Sequence, residues 1–408
     1  MLCSSGAYLF ATSVLEKRKY RVLKLYDLII IGLGSMGSAT AYYTTLSGLE
    51  VLGLDQSSPP HNKGSHTGGS RIIRKAYFED PDYVPILARA YKNWTNLEEL
   101  TQEKHFHKTG LLYFGQSCET LISGVLQSAE KYDIPIKKNT QAELRDSYPM
   151  FRIPNDYVRL KEPEAGYIDT HQTIQSYQNL ALTLGCKIYK NTKVIHWQYK
   201  DEKILVATEN GEFLSKKLII TAGAWTRPLL KHYLPDISLK TTRQSYFYYQ
   251  PKNQKLFKEG SFPCWNIQPP HHIGLYYGFP YKPKDSESKE YGLKLAHHHP
   301  ASVINPDELL AGPSLEEQND AFKILQTYIP EAAGKLIKAG SCIYTYSTDE
   351  DFIIDYIEGT NRNVVLACGF SGHGFKFVPA MGELLSDMIT NEQKAKELEF
   401  LSLERFKN

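Results

Sequence analysis

The sequence predicts a mixed α/β fold in which a largely parallel sheet is interrupted twice by a second, antiparallel or mixed sheet. Three observations carry this expectation. A continuous apolar run at residues 26–31 ends in glycine, as a strand buried on both faces does. Similar apolar runs recur far downstream, at 218–221 and 363–367. Between those two, residues 240–300 are rich in Tyr, Phe and Pro, the composition of antiparallel strands joined by turns.

The elements follow in order. After the first strand, residues 35–48 read as a helix and 51–54 as a second strand, which together make one βαβ unit. Pro59, Pro60 and Gly64 punctuate a loop, and residues 81–100 have the pattern of an amphipathic helix. From about residue 105 to 160, short aromatic strands such as 111–114 alternate with polar helices. A helix near 170–184, a strand near 186–190 and the run at 218–221 return to α/β texture. A helix near 315–328, the strand at 363–367 and a helix over about 376–390 complete the chain. The expected boundaries are 25–104, 161–236 and 335–408 for a discontinuous nucleotide-binding domain, 105–160 and 237–334 for the inserted domain, and 1–24 for an N-terminal extension.

Composition excludes several classes. Among 408 residues, 47 Lys+Arg against 45 Asp+Glu give a net charge of +2, too little excess for a general nucleic-acid binder. With 42% hydrophobic and 23% charged residues the chain is that of an ordinary globular protein, long enough to bury a core without disulfides. The six cysteines are scattered and form no C-x-x-C pair, which suits a reducing compartment. Residues 28–49 carry no charge, but glycine and hydroxyl residues make them too polar to span a membrane. In the first residues the basic side chains follow the apolar stretch, the reverse of a secretory signal, and the C-terminus has no S-K-L address. A cytoplasmic protein is the default expectation.

Gly32-Leu33-Gly34-Ser35-Met36-Gly37 matches G-x-G-x-x-G between a strand and a helix. The first glycine allows the tight turn, the second lets backbone N–H groups approach a pyrophosphate, and the third allows close packing of helix on strand. Asp55, 18 residues after Gly37, stands at the end of the second strand, where a carboxylate can accept bonds from a ribose. The motif predicts a Rossmann-like dinucleotide domain but does not separate FAD from NAD. Thr221-Ala222-Gly223-Ala224-Trp225 and Gly369-Phe370-Ser371-Gly372-His373-Gly374 follow downstream strands, as turns do where a chain returns to a flavin. Arg71 and Arg74 are three apart, and a helix there would put both on one face.

These motifs make the chain resemble the monomeric sarcosine oxidase family, which includes N-methyl-tryptophan oxidase and sarcosine/pipecolate oxidase, FAD-dependent amine oxidases of the D-amino acid oxidase type. The resemblance spans about residues 25–405, with matching stretches at 64–77, 276–280, 292–295, 341–345 with 349–355, and 369–377. It implies FAD attached covalently through the sulfur of Cys342 to the flavin 8α carbon, a residue that on its own reads as a small buried hydrophobe. It implies that Lys294 activates O2, by stabilising the anion that forms as O2 takes its first electron. It places the substrate carboxylate on Arg74 and Lys376, Arg71 at the flavin edge, and Tyr277 and His298 in the substrate pocket, with Lys294, Arg71, His298 and Tyr277 as the catalytic set. Cofactor contacts are expected from Gly32, Gly34, Ser35, Met36, Gly37 and Asp55; from Ser65, His66, Arg71 and Ile72; from Val194, Ala222, Gly223 and Trp225; and from Cys342, Gly369, Gly372, His373, Gly374 and Lys376.

The chain departs from the family pattern at Thr67, where bacterial members often carry a second His, and at Gly69-Ser70, which replaces an Asp-Thr pair. Residues 265–272 differ near the pocket, and 281–290 read as a polar insertion on the surface. On a strand, His297 and His299 of the His297-His298-His299 run would share a face, but two imidazoles without a carboxylate make a poor metal site, so no metal is expected. The expected function is oxidation of a secondary α-amino acid such as sarcosine by a monomer, with O2 reduced to H2O2. Two alternatives stand beside it. One is a flavin dehydrogenase that passes electrons to another acceptor. The other is an NAD-dependent or non-catalytic dinucleotide binder.

Overall fold

The computed structural model describes residues 23–270, 272–284, 290–298, 301–308 and 311–407. The strand Leu25–Ile31 lies at the centre of an eight-stranded sheet, parallel to Val51–Leu54 on one side and to Gly211–Ile220 on the other. The ten-residue strand Gly211–Ile220 serves two partners on its far edge. Its first half closes an antiparallel hairpin with Lys203–Thr208, and its second half runs parallel to Val364–Cys368. Apolar side chains fill both faces of this sheet, as the unbroken hydrophobic runs require.

The helix Ser35–Leu46 is buried along most of its length despite its hydroxyl-rich sequence. Thr40, Thr44 and Thr45 satisfy their hydroxyls on the carbonyls of Met36, Thr40 and Ala41, four residues back in the same helix, at 2.7–2.8 Å. Among the described residues no helix is long and apolar enough to cross a membrane. The amphipathic helix begins at Val84, behind a short 3-10 turn whose start is capped by Asp80, and ends at Thr101.

The second sheet also has eight strands, in the order Lys335–Tyr346, Lys240–Gln250, Gly292–His298, Leu275–Lys282, Cys264–Ile267, Leu111–Gly115, Val158–Glu162 and Lys137–Lys138. One feature differs from expectation. Residues 335–346, assigned from sequence to the nucleotide-binding domain, form an edge strand of this second sheet, in register with Lys240–Gln250 along nearly its whole length. Cys264–Ile267 pairs parallel with Leu111–Gly115, so this sheet is mixed. A third small sheet joins Ser70–Ile73, Gly166–Asp169 and Phe106–His107.

The segment carrying the two arginines is therefore not helical. Gly68 and Gly69 take positive φ values of 93° and 73°, which no helix contains, and Ser70–Ile73 continues as a strand. The C-terminal helix starts at Val378, after a 3-10 turn at Phe375–Phe377, because Pro379 fits only the first turn of a helix.

Candidate active site

A cavity of about 560 Å³ runs from the start of helix Ser35–Leu46 to the Gly369–Phe375 turn. Its floor is backbone. Gly32 has φ +93°, and a Cβ there would meet Thr221 O at 2.6 Å. At Gly37 a Cβ would lie 1.8 Å from Gly32 O, so only glycine lets the helix seat on the turn. At Gly34, by contrast, the nearest atom to an added Cβ is His66 Nδ1 at 4.0 Å, which leaves the open approach that a pyrophosphate needs. Asp55 accepts bonds from the N–H groups of Leu33 and Ser57, each at 2.7 Å, and is held facing the cavity mouth of the turn. The residues present fit a dinucleotide.

Most of the expected contacts line this cavity: Gly32, Gly34, Ser35, Met36 and Asp55, then Ser65, His66 and Arg71, then Val194, Ala222, Gly223 and Trp225, and Gly369, Gly372 and Gly374. Gly37 acts from behind, through packing. Ile72, His373 and Lys376 line the adjoining cavity instead. Cys342 lines neither. It is buried among Tyr246, Tyr248 and Tyr344, between Ser341 and the cavity-lining Ile343. Burial pushes its thiol pKa up, against the charges of Arg71 and Lys294, which lower it. Sequence reasoning missed His61, Gln56, Thr345 and Asp307, which also line the first cavity. Asp307 accepts a bond from Trp225 Nε1 at 2.7 Å.

The second cavity, about 60 Å³, shares Arg71, Tyr344, Gly372 and Phe375 with the first. It brings together Arg71, Arg74, Tyr277, His298, His373 and Lys376, drawn from four separate stretches of sequence. It also contains Glu79, which nothing in the sequence singled out. Arg74 Nη2 donates to both Glu79 oxygens, at 2.6 and 2.5 Å, and its guanidinium stacks 4.4 Å from Tyr77 and 4.2 Å from Phe78. Burial alone would raise the Glu79 pKa, but Arg74, His373 and Lys376 outweigh it and hold the carboxyl at about 2.

Lys376 Nζ donates to His373 O at 2.6 Å and lies 5.1 Å from the Tyr77 ring. Burial first, then the Arg74 charge, lowers its pKa to about 7. Burial also brings His373 down to about 3, so its ring is neutral. His373 Nε2 faces the carbonyl of Glu350 at 3.2 Å, and a carbonyl can only accept. Nε2 therefore carries the proton, and Nδ1 accepts from the Tyr77 hydroxyl. The Tyr277 and Tyr344 hydroxyls are 3.4 Å apart, and the His298 ring packs 5.6 Å from Tyr344.

Arg71 and Lys294 both bind the carbonyls of the loop that leads into Ser70–Ile73. Arg71 donates to the carbonyls of Ser65, Thr67 and Ser70 at 2.6–2.8 Å. Lys294, on strand Gly292–His298, is only 2% exposed and donates to the carbonyls of Gly68 and Ser70 at 2.6 and 2.9 Å. Burial, then Arg71, lowers its pKa well below that of an ordinary lysine. The positive φ at Gly68 and Gly69 turns successive carbonyls toward these cations. In the histidine run, His297 stacks on Tyr276 at 4.0 Å, while His299 lies outside the described residues. Among the described residues there is no group of three or more side chains able to hold a metal.

The comparisons with known proteins agree with this geometry. A family model described as FAD dependent oxidoreductase matches residues 27–388. The chain is 34% identical to the monomeric sarcosine oxidase of a Bacillus species (strain B-0618), over 93% of its own length and 96% of the relative's. It is 33% identical to the N-methyl-L-tryptophan oxidase of Yersinia pestis (strain Pestoides F), over 94% of its length and all of the relative's. Two solved structures share the fold at 20% identity. NikD, an unusual amino acid oxidase essential for nikkomycin biosynthesis, has a TM-score of 0.81 over 93% of this chain and 97% of its own. L-proline dehydrogenase from P. horikoshii has a TM-score of 0.80 over 95% of this chain and 99% of its own. A glycine-floored cavity opening onto a cluster of buried cations is thus found in a chain that belongs to the FAD-dependent oxidoreductase family, alongside monomeric sarcosine oxidase and N-methyl-L-tryptophan oxidase.

Proposed function

We propose that this protein oxidises a secondary α-amino acid, N-methyl or cyclic, of which sarcosine is the simplest, with O2 as the electron acceptor. The observation that carries the reading is the small second cavity, joined to the dinucleotide cavity and walled by Arg74 and Lys376. FAD, when bound, supplies the acceptor for a hydride from the carbon beside the nitrogen and hands the electrons on to O2.

The protein's own groups do the rest. Arg74 and Lys376 hold the carboxylate, the one as a planar fork and the other as a point charge. Arg74 is paired with Glu79 beforehand, so an incoming carboxylate competes with that internal one. The surrounding cations disfavour an ammonium and bias the bound amine toward its neutral, reactive form. Tyr277, Tyr344 and His298 enclose the site against water. Lys294 stabilises the anion formed as O2 is reduced. Cys342, next to the cavity-lining Ile343, would hold the flavin through its sulfur. The reading extends to a cytoplasmic monomer, supported by free cysteines at 118, 186, 264 and 368 and by the name of the sarcosine oxidase relative.

The test is a panel of sarcosine, N-methyl-tryptophan and pipecolate, scored by H2O2 released per substrate consumed. One H2O2 per turnover is expected with at least one of them. Turnover that reaches an artificial acceptor but yields no H2O2 would replace the oxidase with a dehydrogenase. Acid precipitation of the purified protein addresses the anchor: yellow colour in the pellet, lost in Cys342→Ala, is the expected result.

A further inference from the structure

We propose that Asn266 determines specificity, and that the preferred substrate is a secondary α-amino acid with a hydroxyl on a short α-carbon substituent. This rests on the amino acid oxidase reading above and narrows it.

Asn266 sits on strand Cys264–Ile267, lines the second cavity and is 2% exposed. Pairing places it directly between Tyr113 and Tyr277, and cross-strand partners present their side chains on the same face of the sheet. Both neighbours spend their polar groups within the protein. Tyr113 donates to Glu162 at 2.6 Å, and the Tyr277 hydroxyl faces that of Tyr344 at 3.4 Å. The Asn266 Oδ1 is buried with no hydrogen-bond partner among the described residues.

A buried carboxamide oxygen without a donor is unfavourable, and an apolar side chain of the same size would avoid that cost. Among the described residues the fold leaves this oxygen unused, and a ligand in the cavity can supply its donor. The carboxylate end of a substrate is already served by Arg74 and Lys376, and Phe78, Leu275 and Phe375 give the remaining wall apolar surface. A carboxamide both donates and accepts, and a hydroxyl answers both roles. The cavity is small, about 60 Å³ against about 560 Å³ for the cofactor space, which favours a hydroxymethyl over an indole.

The experiment compares kcat/KM for N-methyl-L-serine and N-methyl-L-alanine on the holoenzyme, with bound flavin per mole of protein read in parallel to correct for the amount of loaded enzyme. The expected preference for the serine derivative is about tenfold or more, because a site built for a hydroxyl discriminates strongly against its absence. Asn266→Leu should bring the ratio close to one, and Asn266→Asp should keep the preference. A wild-type ratio near one, or a ratio that Asn266→Leu leaves intact, overturns the proposal. If the Leu variant does not fold, the wild-type ratio and the Asp variant decide. Calorimetric binding of 3-hydroxy-2-methoxypropanoate against 2-methoxypropanoate, ethers that lack the amine, separates the two readings. Discrimination in binding without turnover keeps Asn266 and removes the oxidase. Equal binding of the two ethers removes Asn266.

Discussion

The two joined cavities are built by opposite means. The larger one is specified by backbone: glycines that remove side chains, a carboxylate fixed by two N–H groups, and turns that follow parallel strands. The smaller one is specified by buried charge, with Arg71, Arg74, Lys376 and Glu79 within one wall and Lys294 just beyond it. The first kind of site tolerates many side-chain changes but not an added Cβ at its turn. The second is sensitive to each charge, since one carboxylate, paired with Arg74, faces three cations in a medium that screens poorly.

Substitutions can break that contrast. The largest effect is expected at Gly37. A valine there must displace the Gly32 carbonyl, at a cost on the order of 3 kcal/mol, and visible flavin absorbance per mole of protein should vanish. Normal flavin content in Gly37→Val would show that the turn is not a backbone cradle.

Arg74→Ala comes next. It removes the fork that holds the substrate carboxylate, so kcat/KM should fall by about a hundredfold or more, and it leaves Glu79 buried without its main partner, so the thermal midpoint should drop. Adding Glu79→Gln should recover the midpoint but not kcat/KM. If the second change recovers neither, the pair is not what holds this wall together.

Lys294→Met should slow reoxidation by O2 by about a hundredfold while leaving reduction by substrate near wild type. Stopped-flow measurement of the two half-reactions separates these, and an unchanged oxygen reaction would take Lys294 out of its role.

The smallest effect concerns pH. Lys376 is protonated below its pKa of about 7 and then attracts a carboxylate fully; as pH rises through that value the attraction is lost. Affinity for methoxyacetate should therefore fall by about tenfold between pH 6 and 8, and Lys376→Met should flatten the profile. A wild-type profile that is already flat would mean that another group sets the charge.

The same contrast explains what could be read from sequence. The backbone-built cavity was legible because its parts are local: a strand, a glycine turn and a helix N-terminus adjoin one another along the chain, and Gly32, Gly34 and Asp55 lie where that pattern requires. The charged cavity was legible only where family resemblance supplied the residues. Glu79 carries no signal of its own, since an acid five positions after an arginine is ordinary on a surface. Asn266 becomes meaningful only through its pairing with Tyr113 and Tyr277, and the first of these is a parallel contact across more than 150 residues. The spacing of Arg71 and Arg74 would put both on one face only in a helix. They reach one cavity instead through a strand and the loop after it, because two positive-φ glycines redirect the chain just before.

The central sheet has a consequence for how the protein is made. Leu25–Ile31 finds one neighbour nearby, at Val51–Leu54, but its other neighbour is Gly211–Ile220, whose own partner is Val364–Cys368. Contacts so distant along the chain must await loop closure, which slows folding. A nascent chain that emerges from its N-terminal end exposes the glycine turn long before the Gly369–Phe375 segment exists to close the cavity. A chain truncated before residue 364 lacks the turn that closes the cavity, and loss of FAD retention is the expected outcome.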